Sequence, residues 1–362
     1  MFLCAVVYRT LPDFFETMRI VVIKVGTASV LPDILQSLSS ICMSLQEKDI
    51  MPVIVSSGAV GFGKKLVKFE NLTLARKQAL ASIGQPKVMQ LYSSIFEENK
   101  LVVAQLLISR NIINDREQYL NAKNTIMELL KLKVVPIINE NDAVVVQELK
   151  FGDNDRLSAF VAEIVTAHSL IILTDVDGLY TEHPSKPTAA LISRVESFTS
   201  LKIEDLEATG SNSSTGGMLT KIIAAEYATA ANIDTWVIHA QHTERILDIV
   251  NSNPVVGTNF IAQPKQPSRS WWIKNGLIAK GKIYLDDGAV KAMKKKSNLF
   301  IHGIIKCDGV FYADQAVNLV DKENVIFGKA IVNYSYRELN LLQQTKSNAD
   351  IVIFRENVYI GQ

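Results

Sequence analysis

Two rhythms of apolar residues alternate along the first two-thirds of this chain. Short unbroken runs rich in valine and isoleucine match the length of one buried strand each, and between them apolar positions recur every three or four residues. Arg19–Val25 (RIVVIKV) ends at Gly26 and Thr27 and predicts a parallel strand buried on both faces. Ile34, Leu35, Leu38, Ile41, Cys42 and Leu45 then fall at helical spacing, with Pro32 and Asp33 as a start signal, so 33–48 reads as a helix. The same alternation predicts strands at 52–56, 101–108, 134–138, 170–173 and Asp234–His239. Helices are predicted at 85–98, 116–131, 157–167, 242–250 and from Met218 onward, where Met218, Ile222, Ala225 and Ala228 share a side. A strand–helix alternation of this kind specifies an α/β fold with a mainly parallel sheet.

Charge changes the picture of domain organisation. Residues 265–362 carry 15 Lys+Arg against 9 Asp+Glu, a net of +6, whereas residues 1–264 carry a net of −5. The break falls at the QPKQPSRS stretch, which predicts a linker at 263–269 between a first domain, 18–262, and a second, 270–362. Residues 1–17 lack the basic start of a signal peptide, and Asp13 and Glu16 interrupt their apolar piece, so they read as an extension ahead of Met18. At 48% hydrophobic and 21% charged residues the chain has the composition of an ordinary globular protein. Its longest apolar stretch, 157–173, is broken by Glu163 and His168, which argues against a membrane span. Three scattered cysteines, Cys4, Cys42 and Cys307, fit neither a disulfide framework nor a metal site and suggest a reducing compartment, the cytoplasm.

Candidate chemistry gathers in 139–155, NENDAVVVQELKFGDND. So many short carboxylates and amides at the end of a predicted strand mark a pocket for a small polar molecule, because open α/β sheets bind ligands beyond their strand ends. Lys24 sits near the end of the first strand, where an ammonium can enter such a crevice. The stretch GAVGFGKK (58–65) approaches the Walker A pattern but has Lys65 where that motif needs a hydroxyl, so it is not a P-loop. Ser57 and Gly58 still form a turn whose backbone N–H groups could meet an anion, and so does TGGMLTK (215–221) ahead of a helix. No G-x-S-x-G, H-E-x-x-H or paired Cys–His motif is present, and the five histidines are dispersed. Lysines and oriented amides without a nucleophile suit phosphoryl transfer, where charge neutralisation is the main task.

Six stretches carry a more specific signal: IKVGTAS (23–29), VSSGAVGFG (55–63), INENDAV (138–144), FGDNDRLSA (151–159), LTDVDGLYT (173–181) and TGGMLTK. In this order they resemble the γ-glutamyl kinase branch of the amino acid kinase family, with residues from about 270 on resembling a PUA domain. The resemblance implies an αβα sandwich with a small β-rich C-terminal domain, and ATP-dependent phosphorylation of the γ-carboxylate of L-glutamate, the first step of proline biosynthesis. It implies that Lys24 and Lys221 stabilise the transferred phosphoryl group and that Asp155 holds both lysines. Ser57, Asn139, Asp142, Asp153 and Asn154 would bind glutamate. Thr174, Asp175, Thr215, Gly216, Gly217, Met218, Leu219 and Thr220 would bind ATP together with the two lysines. Mg²⁺ would bridge phosphate oxygens with few protein ligands. Feedback inhibition by proline, a homotetramer and contact with the reductase that consumes glutamyl phosphate are implied as well. Val176-Asp177, His183-Pro184 and the FYADQ stretch at 311–315 depart from the commonest family pattern. Two alternatives stand beside this reading. Sister kinases act on acetylglutamate, aspartate, carbamate or UMP, and the basic C-terminal region, with Lys291, Lys294, Lys295 and Lys296 near Trp271-Trp272, could bind RNA.

Overall fold

The structure is a computed structural model that describes residues 18–109, 112, 115–144, 154–198, 201, 217–264, 273, 279–295, 297–313, 315–345 and 351–361. The extension at 1–17, most of the linker, Trp271, Trp272 and Lys296 lie outside the described residues. The chain divides into two compact units between Gln263 and Pro264.

The first unit is built on one eight-stranded sheet. In chain order its strands are β1 (Arg19–Val25), β2 (Ile50–Val55), β3 (Val103–Ile108), β4 (Val135–Glu140), β5 (Ser169–Thr174), β6 (Arg194–Val195), β7 (Asp234–His239) and β8 (Thr258–Phe260). Their spatial order is β3-β4-β2-β1-β5-β7-β8-β6. The six strands from β3 to β7 are mutually parallel, and β8, antiparallel to β7, and β6, parallel to β8, run the other way. Their carboxyl ends therefore lie along one edge, with Lys24 level with Val55 on one side and Ile172 on the other.

Side-chain alternation sorts the strands between two layers of helix. Val21, Ile23 and Val25 of β1, Val135 and Ile137 of β4, and Ile171 and Leu173 of β5 enter one core. There they meet α1 (Pro32–Glu47), the C-terminal part of α3 (Leu74–Glu98), and α7 (Arg245–Val250). The opposite face, which includes Lys24, is covered by α5 (Asn154–Ile164), packed across β1, β2, β4 and β5, with α6 (Met218–Ala230) beside it, while α4 (Arg116–Lys131) packs against β4. Parity alone thus sends Lys24 to the α5 side and Asn139 to the α3 side.

Among the differences from the sequence expectation, three bear on the site, each for a physical reason. Helix α3 begins at Leu74 rather than 85: Thr73 caps it by accepting from the Arg76 N–H, and Leu80, Ala81 and Gly84 continue the buried face. Strand β4 runs on through Asn139 and Glu140, which are buried rather than displayed on a loop. Helix α5 starts at Asn154, so Asp155 lies in its first turn, where the helix N-terminus favours negative charge. The stretch after Gly58 is a short helix, α2 (Ala59–Leu66), and its glycines serve packing. A Cβ on Gly63 would stand 2.1 Å from the Leu80 carbonyl oxygen, and one on Gly84 would stand 1.9 Å from that of Ala59. Helices α2 and α3 cross backbone on backbone.

The second unit has its own five-stranded sheet, ordered β11 (Ile304–Gly309), β9 (Gly281–Leu285), β12 (Ala316–Val320), β13 (Ile326–Ile331), β15 (Val358–Ile360). A small ladder joins β10 (Leu299–Phe300) to β14 (Ile351–Ile353), and two helices, α8 (Asp287–Lys294) and α9 (Tyr336–Thr345), complete it. Ile283, Leu285, Phe311, Val317, Leu319 and Val352 form its core. Two of its lysines lie over aromatic rings, Lys294 over Phe327 and Lys306 over Tyr284. Among the described residues of the chain no helix is long and apolar enough to cross a membrane.

Candidate active site

At the carboxyl edge of the parallel strands, Asp155 is fully buried and two lysines converge on it. Lys24 Nζ, from β1, stands 2.5 Å from Oδ1, and Lys221 Nζ, from the first turn of α6, stands 3.3 Å from Oδ2. Thr220 Oγ1 donates to Oδ2 at 2.8 Å and also approaches the Gly217 carbonyl oxygen at 2.8 Å, which ties the carboxylate to the start of α6. Burial by itself pushes the Asp155 carboxyl up, but the charges of Lys24 and Lys221 and the hydrogen bonds from Lys24 and Thr220 outweigh it and hold the group below its ordinary value. Two positive charges around one negative charge leave a net cationic centre, 6% exposed at each lysine. Such a centre attracts and orients a polyanion.

Beside it lies a second polar network made of amides. Asn154 Nδ2 is within hydrogen-bond distance of the Ser56 carbonyl oxygen (2.7 Å), Ser57 Oγ (2.8 Å) and Asn139 Oδ1 (2.8 Å). Asn139 Oδ1 also accepts from the Glu140 N–H, while its Nδ2 donates to Gln85 Oε1 at 2.8 Å. Gly58, at φ +103°, turns the chain from β2 into α2 immediately after Ser57, in a backbone conformation that suits glycine.

The residues singled out in the sequence divide as follows. Lys24, Asp155 and Lys221 meet directly, and Ser57, Asn139 and Asn154 meet one another. Asp142 follows β4 at the same edge and is half-buried. Thr174 ends β5, and its hydroxyl donates to Asp175 at 3.1 Å. Gly217, Met218 and Leu219 open α6. Asp153, Thr215 and Gly216 lie outside the described residues. Thr220 was expected on the nucleotide side, yet its hydroxyl is directed to Asp155. Asp177, one of the departures from the family pattern, pairs with Arg245 at 2.6 Å and braces the turn that carries Asp175. Gln85 was missed. Its signal was a glutamine among the buried positions of α3, between Ala81, Gly84 and Val88.

Among the described residues no three His, Cys, Asp or Glu side chains cluster in a way that could hold a metal ion. The described cysteines are unpaired; burial pushes the Cys307 thiol up to about 12 and that of Cys42 higher still, so neither supplies a thiolate nucleophile.

The pattern of the amino acid kinase family matches residues 19–239, and that of the PUA domain matches residues 281–351. A glutamate 5-kinase from Cyanothece sp. (strain PCC 7425 / ATCC 29141) is 39% identical over 368 residues, covering 94% of this chain and 99% of that protein. One from Desulfitobacterium hafniense (strain Y51) is 38% identical over 333 residues, covering 89% and 90%. Among solved structures, carbamate kinase from Giardia lamblia bound to AMP-PNP aligns with a TM-score of 0.50 at 16% identity, over 68% of this chain and 100% of that one, a likeness of fold.

Proposed function

This chain belongs to the amino acid kinase family and carries a C-terminal PUA domain, and from that premise we propose that it is a glutamate 5-kinase, transferring the γ-phosphoryl group of ATP to the γ-carboxylate of L-glutamate. The observation that carries the reading is the seating of Lys24 and Lys221 on one buried carboxylate. Had the two ammonium groups stood on different faces of the unit, phosphoryl transfer between them would have no geometric basis.

The chemistry follows from charge. A carboxylate with an ordinary pKa of about 4.3 is already ionised at neutral pH, so the acceptor needs no general base. One of its oxygens attacks the γ-phosphorus while the bond from that phosphorus to the β–γ bridging oxygen breaks. ADP leaves with the electron pair, and γ-glutamyl phosphate, an acyl phosphate, is formed. In a loose transition state charge gathers on the equatorial and leaving oxygens, and Lys24 and Lys221 are the groups to neutralise it. Asp155 keeps both lysines in place before substrate arrives, so little reorganisation is needed at the moment of transfer. Ser57, Asn139, Asp142, Asp153 and Asn154 form the acceptor side. Thr174, Asp175 and the turn at 215–221 form the nucleotide side. Mg²⁺ would be held chiefly by the phosphate oxygens of the nucleotide, since Asp155 is committed to the two lysines. When bound, the ion would neutralise phosphate charge.

A homotetramer, inhibition by proline, contact with the reductase that consumes the product, and a cytoplasmic location belong to the same reading. The RNA alternative draws on the basic C-terminal unit alone and is decided separately, by whether a salt-sensitive shift of structured RNA is lost when the chain is cut at residue 265.

Hydroxylamine trapping tests the activity, because it captures an acyl phosphate and spares a phosphate ester. Hydroxamate is expected with ATP, Mg²⁺ and glutamate, with little from aspartate, and added proline should suppress it. Lys24→Ala and Lys221→Ala should each lower turnover by about 100-fold or more with a much smaller change in KM. Near-native turnover in either variant would remove that lysine from the transfer step.

A further inference from the structure

We propose that Gln85, on helix α3, is a positioning residue for the acceptor side of the site, acting through Asn139; this rests on the glutamate kinase reading above. Donor and acceptor logic orients the whole amide chain. The Ser56 carbonyl oxygen can only accept, so Asn154 must turn Nδ2 toward it. The Glu140 backbone N–H can only donate, so Asn139 must turn Oδ1 toward it. The Asn139 Nδ2 then faces Gln85, whose Oε1 accepts at 2.8 Å. The Gln85 Nε2 points away and, among the described residues, is buried without a hydrogen-bond partner.

An orphaned buried donor costs free energy, so a methionine or leucine would fill this place at lower cost if filling were all that mattered. What the glutamine adds is the bond to Asn139. Helix α3 is a rigid post for that bond. The Gly84 backbone, one residue earlier, lies directly against Ala59 and Gly63 of α2, and α2 begins at the Ser57-Gly58 turn. Gln85, Ser57 and Asn139 are therefore held in one frame.

Without the Gln85 oxygen, the Asn139 amide loses the contact that fixes its Nδ2 end. With Oδ1 still held by the Glu140 N–H, the amide would swing about that end, and the array that meets the acceptor would lose its order. Lys24 and Thr174 lie on the opposite face of the sheet from Asn139, and none of these amide hydrogen bonds runs to either, so the change falls chiefly on the acceptor side.

The test is steady-state kinetics of the full chain by hydroxamate trapping, with glutamate and ATP varied in turn. Gln85→Met, of similar length but without an acceptor, should raise the glutamate KM about tenfold and leave the ATP KM within about twofold. Gln85→Glu, which keeps an oxygen facing Asn139, should recover most of that loss. Because the effect passes through Asn139, the Gln85→Met/Asn139→Ala double variant should be no worse than Asn139→Ala alone. An unchanged glutamate KM in Gln85→Met, an equal rise in both KM values, or additive losses in the double variant would each overturn the role. Should Gln85→Met fail to fold, a tenfold rise in glutamate KM for Gln85→Glu would overturn it too. A wild-type chain that yields no hydroxamate from glutamate would instead overturn the activity, and this role with it.

Discussion

Replacing Asp155 by asparagine keeps the shape of the side chain and removes its charge, leaving two buried ammonium groups around a neutral amide. Both lysines are 6% exposed and Asp155 is wholly buried, so water screens little of the change. At an effective dielectric of about 20, two unit charges about 6 Å apart repel by roughly 3 kcal/mol, and the carboxylate no longer offsets this. Removing one partner from a buried charge cluster costs about 3–5 kcal/mol by the same reasoning, and we expect the first unit to lose that much unfolding free energy. Urea unfolding followed by far-ultraviolet circular dichroism measures it. Turnover in the trapping assay should fall by about 100-fold or more, because neither lysine is then held at the transfer distance. The decisive comparison is a double variant: Asp155→Asn/Lys24→Met should be more stable than the sum of its single changes, since it also removes one of the repelling charges. A loss below about 1 kcal/mol for Asp155→Asn, or additivity within about 0.5 kcal/mol, would refute the view that this carboxylate holds two like charges together.

Two further outcomes follow from the same geometry. Because Lys24 and Lys221 hold the Asp155 carboxyl below its ordinary value against the effect of burial, its contribution to stability is present above the unfolded carboxyl value of about 4 and disappears as pH falls through the lower folded value. The stability gap between wild type and Asp155→Asn should therefore be full at neutral pH and narrow in acid; a gap in acid as large as that at neutral pH would contradict this. Gly84→Ala puts a methyl group 1.9 Å from the Ala59 carbonyl oxygen and 2.5 Å from the Gly63 nitrogen, both backbone atoms that cannot rotate aside. Separation of α2 from α3 should cost about 1–3 kcal/mol and raise the glutamate KM as Gln85 is carried off, and a melting curve unchanged from wild type would show that the crossing has slack.

Much of this protein was legible along the chain because the signals are local. The run Arg19–Val25, the helical spacing of Ile34 to Leu45 and the exact span of Asp234–His239 were read from periodicity, which depends only on neighbours in sequence. Lys24 drew notice as a charge inside an apolar run and Asp155 within a dense polar cluster, but the roles of both, and of Lys221, came from the family resemblance. Which of them meet could not be read from spacing. The meeting of Lys24 and Lys221 on Asp155 depends on strand parity, on the parallel order that aligns the strand ends, and on α5 and α6 packing over one face. Asn139 was read with the polar loop because a dense run of carboxylates and amides is poor core material, and only the tertiary structure supplies Gln85 and Asn154 as the partners that permit its burial. Gln85 itself enters because two glycines let α3 rest on the backbone of α2. Periodicity is written in the chain, but the partners of a buried polar group are chosen by which faces the packing brings together.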